Sequence, residues 1–207
     1  MEYLVTMTTL VPDRTADETV QETRGLEAAR SRELAAQGYL VRLWRPPLQP
    51  GEWRTLGLFA AADDVELEKV LASMPLRVWR SDVVLPLAAH PNDPLPSHAA
   101  GTAPVRGTEF LTTFEVTFPE SASEQEIAEM KAREADRVRD LAEQGHVVRL
   151  WTLPSTAGGS WRALGLWRAE DGPQLQALLE SLPMDKWMTT ETTPLTAHPN
   201  DPAAPAV

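Results

Sequence analysis

The chain is written twice. A shift of 107 residues lays Glu2–Pro47 over Glu109–Pro154, and a shift of 108 lays Trp53–Pro94 over Trp161–Pro202. QGYLVRLW, WRTLGLF, LASMPLRVW and LAAHPNDP return in the same order as QGHVVRLW, WRALGLW, LESLPMDKW and LTAHPNDP. Four blocks in unchanged order mark a tandem duplication. The repeating unit is about 95 residues, an ordinary size for a small domain. Any fold assigned to one half must therefore also suit the other.

The repeats are expected at residues 1–90 and 108–198. Between them, Pro91–Gly107 (PNDPLPSHAAGTAPVRG) is rich in Pro, Ala and Gly and has no hydrophobic period, so it reads as a semi-extended linker. Residues 199–207 read as a tail that begins like the same linker.

Each repeat spells strand, helix, strand, strand, helix, strand. Tyr3–Val11 and Phe110–Phe118 read as strands, closed by Pro12 and Pro119. Long helices follow over Asp17–Gln37 and Ser123–Gln144, the second opened by a Ser123/Glu126 capping box. Gly38 and Gly145 suit a left-handed stop. Strands are expected at Tyr39–Arg45, Trp53–Ala60 and Val78–Leu87, and at His146–Thr152, Trp161–Arg168 and Lys186–Leu195. Short helices fall at Asp63–Ser73 and Asp171–Ser181. Pro86 and Pro194 mark their strands as edge strands or fraying ends. The order βαββαβ predicts an α+β fold of two ferredoxin-like units. Each antiparallel sheet has helices on one face only, and two such units can cover each other sheet to sheet.

The long helices carry the chemistry. Ile127, Met130, Glu134, Val138 and Leu141 keep to one face of a 3.6-residue helix, as do Val20, Thr23, Glu27, Ser31 and Leu34. A glutamate stands at the same step of both stripes. A carboxylate on a core-facing stripe is costly unless it is paired, protonated or used. The plain alternative is an intrahelical ion pair, with Arg24 and Arg30 flanking Glu27, and Lys131 and Arg137 flanking Glu134.

Composition excludes several classes. Net charge is −11 and no run of Lys or Arg occurs, so binding to nucleic acid or to an anionic membrane surface is not expected. With no cysteine there is no disulfide, thiolate zinc site or thiol nucleophile. No metal-ligand spacing, glycine-rich phosphate loop or nucleophile elbow is present, so no cofactor is expected. The opening MEYLVTMTTLVPD has neither a basic stretch nor a long apolar run and reads as a strand, with the cytoplasm as the default location.

These residues together resemble the muconolactone delta-isomerase family. The likeness rests on Glu27 and Glu134, on Gly38 to Trp44 and Gly145 to Trp151, on Met74-Pro75 and Leu182-Pro183, and on His90-Pro91 and His198-Pro199. The resemblance implies a dimeric α+β barrel, here intramolecular, with both halves supplied by one chain. It also implies a cofactor-free double-bond shift in a small unsaturated lactone, with Glu27 and Glu134 as acid/base residues, and large assemblies. A monomer would suffice for the pseudo-dimer, and a higher homo-oligomer stays open. The chain departs from the family at Arg42 and Arg149, which stand before the Leu-Trp pair where the family has a His, and in a less polar third strand. A changed pocket wall leaves two alternatives open: an isomerase or cyclase of a specialised, polyketide-like metabolite, or a protein that binds a small ligand without turning it over.

Further candidates for substrate binding follow from residue type. Arg42 and Arg149 share a strand face with Trp44 and Trp151, and could hold a carboxylate or enolate oxygen with a fixed fork. The alternatives for them are a cation–π stack or a salt bridge. Trp53 and Trp161, like Trp44 and Trp151, could line a pocket or simply pack. His90 and His198, just past the last strand of each repeat, could serve as a second acid/base or as loop anchors.

Overall fold

The computed structural model describes residues 1–94, 107–155 and 161–203, so most of the expected linker lies outside the described residues. The chain forms two units. One holds Met1–Leu87 and the segment from Thr196 onward; the other is Ala88–Leu195.

The first unit contains β1 (Glu2–Thr9), α1 (Asp17–Ala36), β2 (Leu40–Arg45), β3 (Arg54–Ala60), α2 (Asp64–Ala72) and most of β4 (Arg80–Ala89). Its sheet is antiparallel in the order β4-β1-β3-β2, with Val5 opposite Gly57 and Val84, and Leu43 opposite Gly57. Alternation along β1 buries Tyr3, Val5, Met7 and Thr9. The first three join a core with Leu34 of α1, Phe59 of β3, and Leu67 and Leu71 of α2. The outer edge of β2 is taken by Thr196 and Ala197 from the end of the second repeat.

The second unit repeats the plan with β5 (Thr108–Val116), α3 (Glu124–Glu143), β6 (Val147–Thr152), β7 (Trp161–Ala169), α4 (Gly172–Glu180) and most of β8 (Met188–Ala197). The order is β8-β5-β7-β6, with Thr112 opposite Gly165 and Thr192. Here Ala88 and Ala89, the end of β4, pair with the edge of β6. The last residues of each repeat thus belong to the unit built around the other repeat.

Local chemistry accounts for the element ends. Gly38 and Gly145 sit at φ of 80° and 84°, the left-handed stop that glycine adopts without a Cβ penalty. Ser123 and Glu126 make the reciprocal capping box. Ala16 caps α1 without a side-chain bond. The last strands begin two residues later than the sequence suggests, because Pro75–Trp79 and Asp185–Trp187 coil into 3₁₀ turns. Pro86 and Pro194 lie opposite Tyr3 and Phe110. The class is α+β and ferredoxin-like in both repeats. Among the described residues no helix is long and apolar enough to cross a membrane.

Candidate active site

The core-facing glutamate of α1 is where its stripe places it. Glu27 is 8% exposed and lies in the wall of a cavity of about 370 Å³. Its Oε2 accepts the Leu76 N–H at 2.8 Å, and its Oε1 accepts Nη1 of Arg80 at 3.1 Å. The 3₁₀ turn delivers the first bond and the start of β4 the second. Arg80 is itself buried and also pairs with Asp82, Nε to Oδ1 at 2.7 Å. Burial pushes the Glu27 carboxyl above its usual range; the Leu76 N–H and Arg80 pull it back, and Asp82 adds to the rise.

The flanking arginines do not neutralise Glu27. Arg30 pairs with Glu33 at 2.8 Å and donates to Ser73, and Arg24 lies over the Trp53 ring, 5.3 Å from its centroid. Arg24, Trp53 and Arg45 line the cavity, and neither Arg24 nor Arg45 has a carboxylate partner among the described residues.

The cavity is completed by His198. Ala197 pairs with Trp44, the His198 N–H donates to the Leu43 carbonyl at 3.1 Å, and the chain then turns so that Asp201 N–H reaches the His198 carbonyl at 2.8 Å. Asp201 locks this turn. It accepts the Leu43 N–H at 3.0 Å and the Arg42 fork, Nε at 3.2 Å and Nη2 at 3.1 Å. The Arg42 guanidinium also lies over Trp44, at 4.8 Å. Nδ1 of His198 accepts the Asn200 N–H at 3.1 Å, so the neutral ring carries its proton on Nε2. Burial first, then the Arg45 and Arg24 charges, hold His198 down at about 4 despite the opposing Asp201, and the ring is neutral near pH 7.

The second unit keeps the frame and changes the lining. Asp93 holds Arg149 (Nη2 to Oδ2, 3.2 Å) and the Leu150 N–H (2.9 Å), and Nδ1 of His90 accepts the Asn92 N–H at 3.1 Å. Glu134 is half-buried and accepts the Met184 N–H at 2.9 Å. Burial raises its carboxyl, the Met184 N–H opposes this, and Asp185 raises it further. Met188 stands where Arg80 stands in the first unit, and among the described residues Glu134 has no cationic partner. Lys131 lies over Phe118, and Arg137 donates to Ser181.

Of the residues singled out in the sequence, the structure brings Glu27, Trp53 and His198 to one cavity and Glu134, Trp161 and His90 to another. Arg42, Arg149, Trp44 and Trp151 line neither; they form the anchors under the two His-Pro turns, with both tryptophans buried. Sequence reading missed Arg80, Asp82, Asp93 and Asp201. Asp93 and Asp201 had a signal, since both belong to the repeated HPNDP. Arg80 had one too: it is charged in one copy and Met188 in the other, a difference at an otherwise core-like step.

Solved structures with the same fold include a heme-binding protein from Thermus thermophilus (TM-score 0.59, 14% identity, 97% of this chain and 93% of that one). Another is a chlorite dismutase variant from Candidatus Nitrospira defluvii (TM-score 0.55, 12% identity, 96% and 92%). The likeness is one of fold. Neither cavity histidine is set as a ligand to haem iron: a ligating histidine donates from its other ring nitrogen, whereas that nitrogen in both His90 and His198 accepts a backbone N–H. Nor do the described residues group three or more His, Cys, Asp or Glu as a metal site. In sequence, the chain is 28% identical over 91 residues to Muconolactone Delta-isomerase 1 of Acinetobacter lwoffii, covering 44% of this chain and 91% of that relative. With the muconolactone delta-isomerase family model matching residues 1–93 and again 108–201, the chain belongs to that family.

Proposed function

We propose that the first unit is a cofactor-independent isomerase that moves a double bond in a small unsaturated lactone, with Glu27 as the proton carrier. The observation behind this reading is the Glu27 carboxyl: buried, raised above its usual range, and set in a cavity of about 370 Å³, within the range of small-molecule sites. A carboxylate made more basic by burial removes a proton from carbon more readily than an exposed one. Glu27 takes the γ-proton of the lactone. The electron pair moves through the double bond onto the carbonyl oxygen, and the resulting dienolate oxygen accepts a hydrogen bond from Nε2–H of His198. The carboxylic acid then returns the same proton at the α-carbon. Atoms and charge balance without a further reactant.

His198 suits the oxyanion because it is neutral and has a fixed tautomer. Arg80 keeps Glu27 ionised before the step and stabilises it again after. Arg24 and Arg45, at the cavity mouth, suit a carboxylate carried by the substrate. The test is turnover of a carboxymethyl-substituted butenolide such as muconolactone, followed by absorbance. Glu27→Gln is expected to lower kcat by about 10²- to 10⁴-fold with binding retained. Turnover that survives the substitution rules Glu27 out as the carrier.

A further inference from the structure

The second unit departs from the first in one direction. Position by position, Arg80 gives way to Met188, Ser31 to Val138, Thr55 to Ala163 and Arg45 to Thr152. Met7 and Phe59 are replaced by the larger Phe114 and Trp167. What remains is an outer lobe of about 200 Å³ and an inner lobe of about 40 Å³, with His90, Asn92, Glu134 and Trp161 lining both. The inner lobe is otherwise walled by apolar side chains such as Phe114, Leu150 and Met188.

Two polar atoms there have no partner among the described residues. They are Nε2 of His90 and Nε1 of Trp167, in residues 8% and 1% exposed. Both are donors. Nδ1 of His90 already accepts from Asn92, so the proton of the neutral ring is on Nε2, and an indole nitrogen only donates. A buried donor left without an acceptor is costly; the Trp167 nitrogen lies against Gly165, whereas His90 lines both lobes, so its Nε2 constitutes an unmet demand for an acceptor at this cavity. The Trp161 ring lies 5.2 Å from the His90 ring and supplies an aromatic wall.

We propose that the second unit binds a small, neutral, largely apolar molecule bearing a carbonyl-type oxygen, a class distinct from the anion suited to the first cavity. The oxygen accepts from His90, and the body lies against Trp161 in the outer lobe. The size fits: an apolar cavity of about 150 Å³ accommodates one benzene ring. Lys131 lines the outer lobe, with its ammonium over Phe118, and is the cation among the described lining residues that would instead favour an anion there. This proposal does not rest on the isomerase reading, and either can fail without the other.

The test uses the whole chain, ¹⁵N-labelled, titrated with acetophenone and separately with benzoate. The two probes share a ring and differ in charge. Indole N–H resonances are assigned from Trp167→Phe and Trp161→Phe. Acetophenone is expected to shift the Trp161 and Trp167 signals saturably, with a Kd on the order of 1 mM or tighter, and benzoate is expected to leave them in place. His90→Phe is expected to weaken the acetophenone response at least tenfold. Absence of a saturable shift with acetophenone, equal or stronger binding of benzoate at these signals, or a response confined to Trp53 would each overturn the proposal. The comparison of the two probes needs only the wild-type protein, so it holds even if the His90 variant fails to fold.

Discussion

Nη1 of Arg80 lies 3.1 Å from Oε1 of Glu27, an ion pair between residues 53 apart in sequence with side chains only 2% and 11% exposed. The second repeat carries Met188 at the matching place, so its glutamate has no such cation. Among the differences between the two sites, this one acts directly on the glutamate. The first has a carboxyl paired with a buried guanidinium; the second has a carboxyl held by one backbone N–H.

Arg80→Met converts the first site toward the second. Removing one partner of a buried pair costs about 3–5 kcal/mol because a charge is left alone. The Glu27 carboxyl would then lie still higher above its unfolded value. A raised carboxyl contributes stability below its unfolded pKa and loses it as pH rises. The deficit against wild type is therefore expected to be larger at pH 8 than at pH 5. Urea unfolding of both proteins at the two pH values checks this, and an equal deficit at both would show that Glu27 does not feel Arg80.

The two cavity histidines set the acid limit. Both are held at about 4 by burial, below the usual value of 6.5. A depressed histidine binds fewer protons folded than unfolded, so stability falls as pH drops from about 6.5 through 4. For His90 the loss is on the order of 3 kcal/mol. The raised Glu27 and Glu134 work the other way, losing stability as pH climbs past 4.5. The histidine contribution is isolated by difference: His90→Gln is expected to flatten the acid limb of the stability curve relative to wild type.

Asp201 positions His198 through the Leu43 N–H and the Arg42 fork. Asp201→Asn removes a buried carboxylate from the Arg42 fork and loosens the turn. Unfolding is expected to become easier by about 3 kcal/mol, and kcat to fall while KM changes less, because the donor to the oxyanion is misplaced. A rise in KM alone would mean that the turn serves binding and not the reacting oxygen.

Arg45 is replaced by Thr152 in the second repeat, which suggests its own test. Arg45→Thr is expected to raise KM for a carboxylate-bearing lactone about tenfold with kcat nearly kept, the pattern of lost ground-state binding. A neutral methyl ester of the same lactone is expected to show no such change.

Much of this was legible in the sequence because local signals agreed. The duplication, the βαββαβ order, Gly38 and Gly145, and the glutamate on each helix stripe are short-range patterns, and the structure keeps them. The polarity difference between the stripes, with Ser31 against Val138, also carried through to the cavities. What sequence could not supply was pairing at a distance. Arg80 reaches Glu27 across 53 residues, and Asp201 reaches Arg42 across 159. For Arg42 the sequence left both a ligand-binding fork and a cation–π or salt-bridge role open, because strand alternation says which face a side chain takes and not which partner awaits it there. The arrival of His198 beside Glu27 depends on each repeat lending its last residues to the other unit, which no periodicity within one repeat encodes.

The central claim is that Glu27 carries a proton between two carbons of one substrate. The most direct measurement is proton NMR of a carboxymethyl-substituted butenolide with the protein in D₂O, observing the γ-hydrogen and the α-position together. The account predicts loss of the γ-hydrogen with label arriving at the α-carbon in wild type, both abolished in Glu27→Gln under conditions where that variant still binds the substrate. Loss of the γ-hydrogen at an undiminished rate in Glu27→Gln would contradict it.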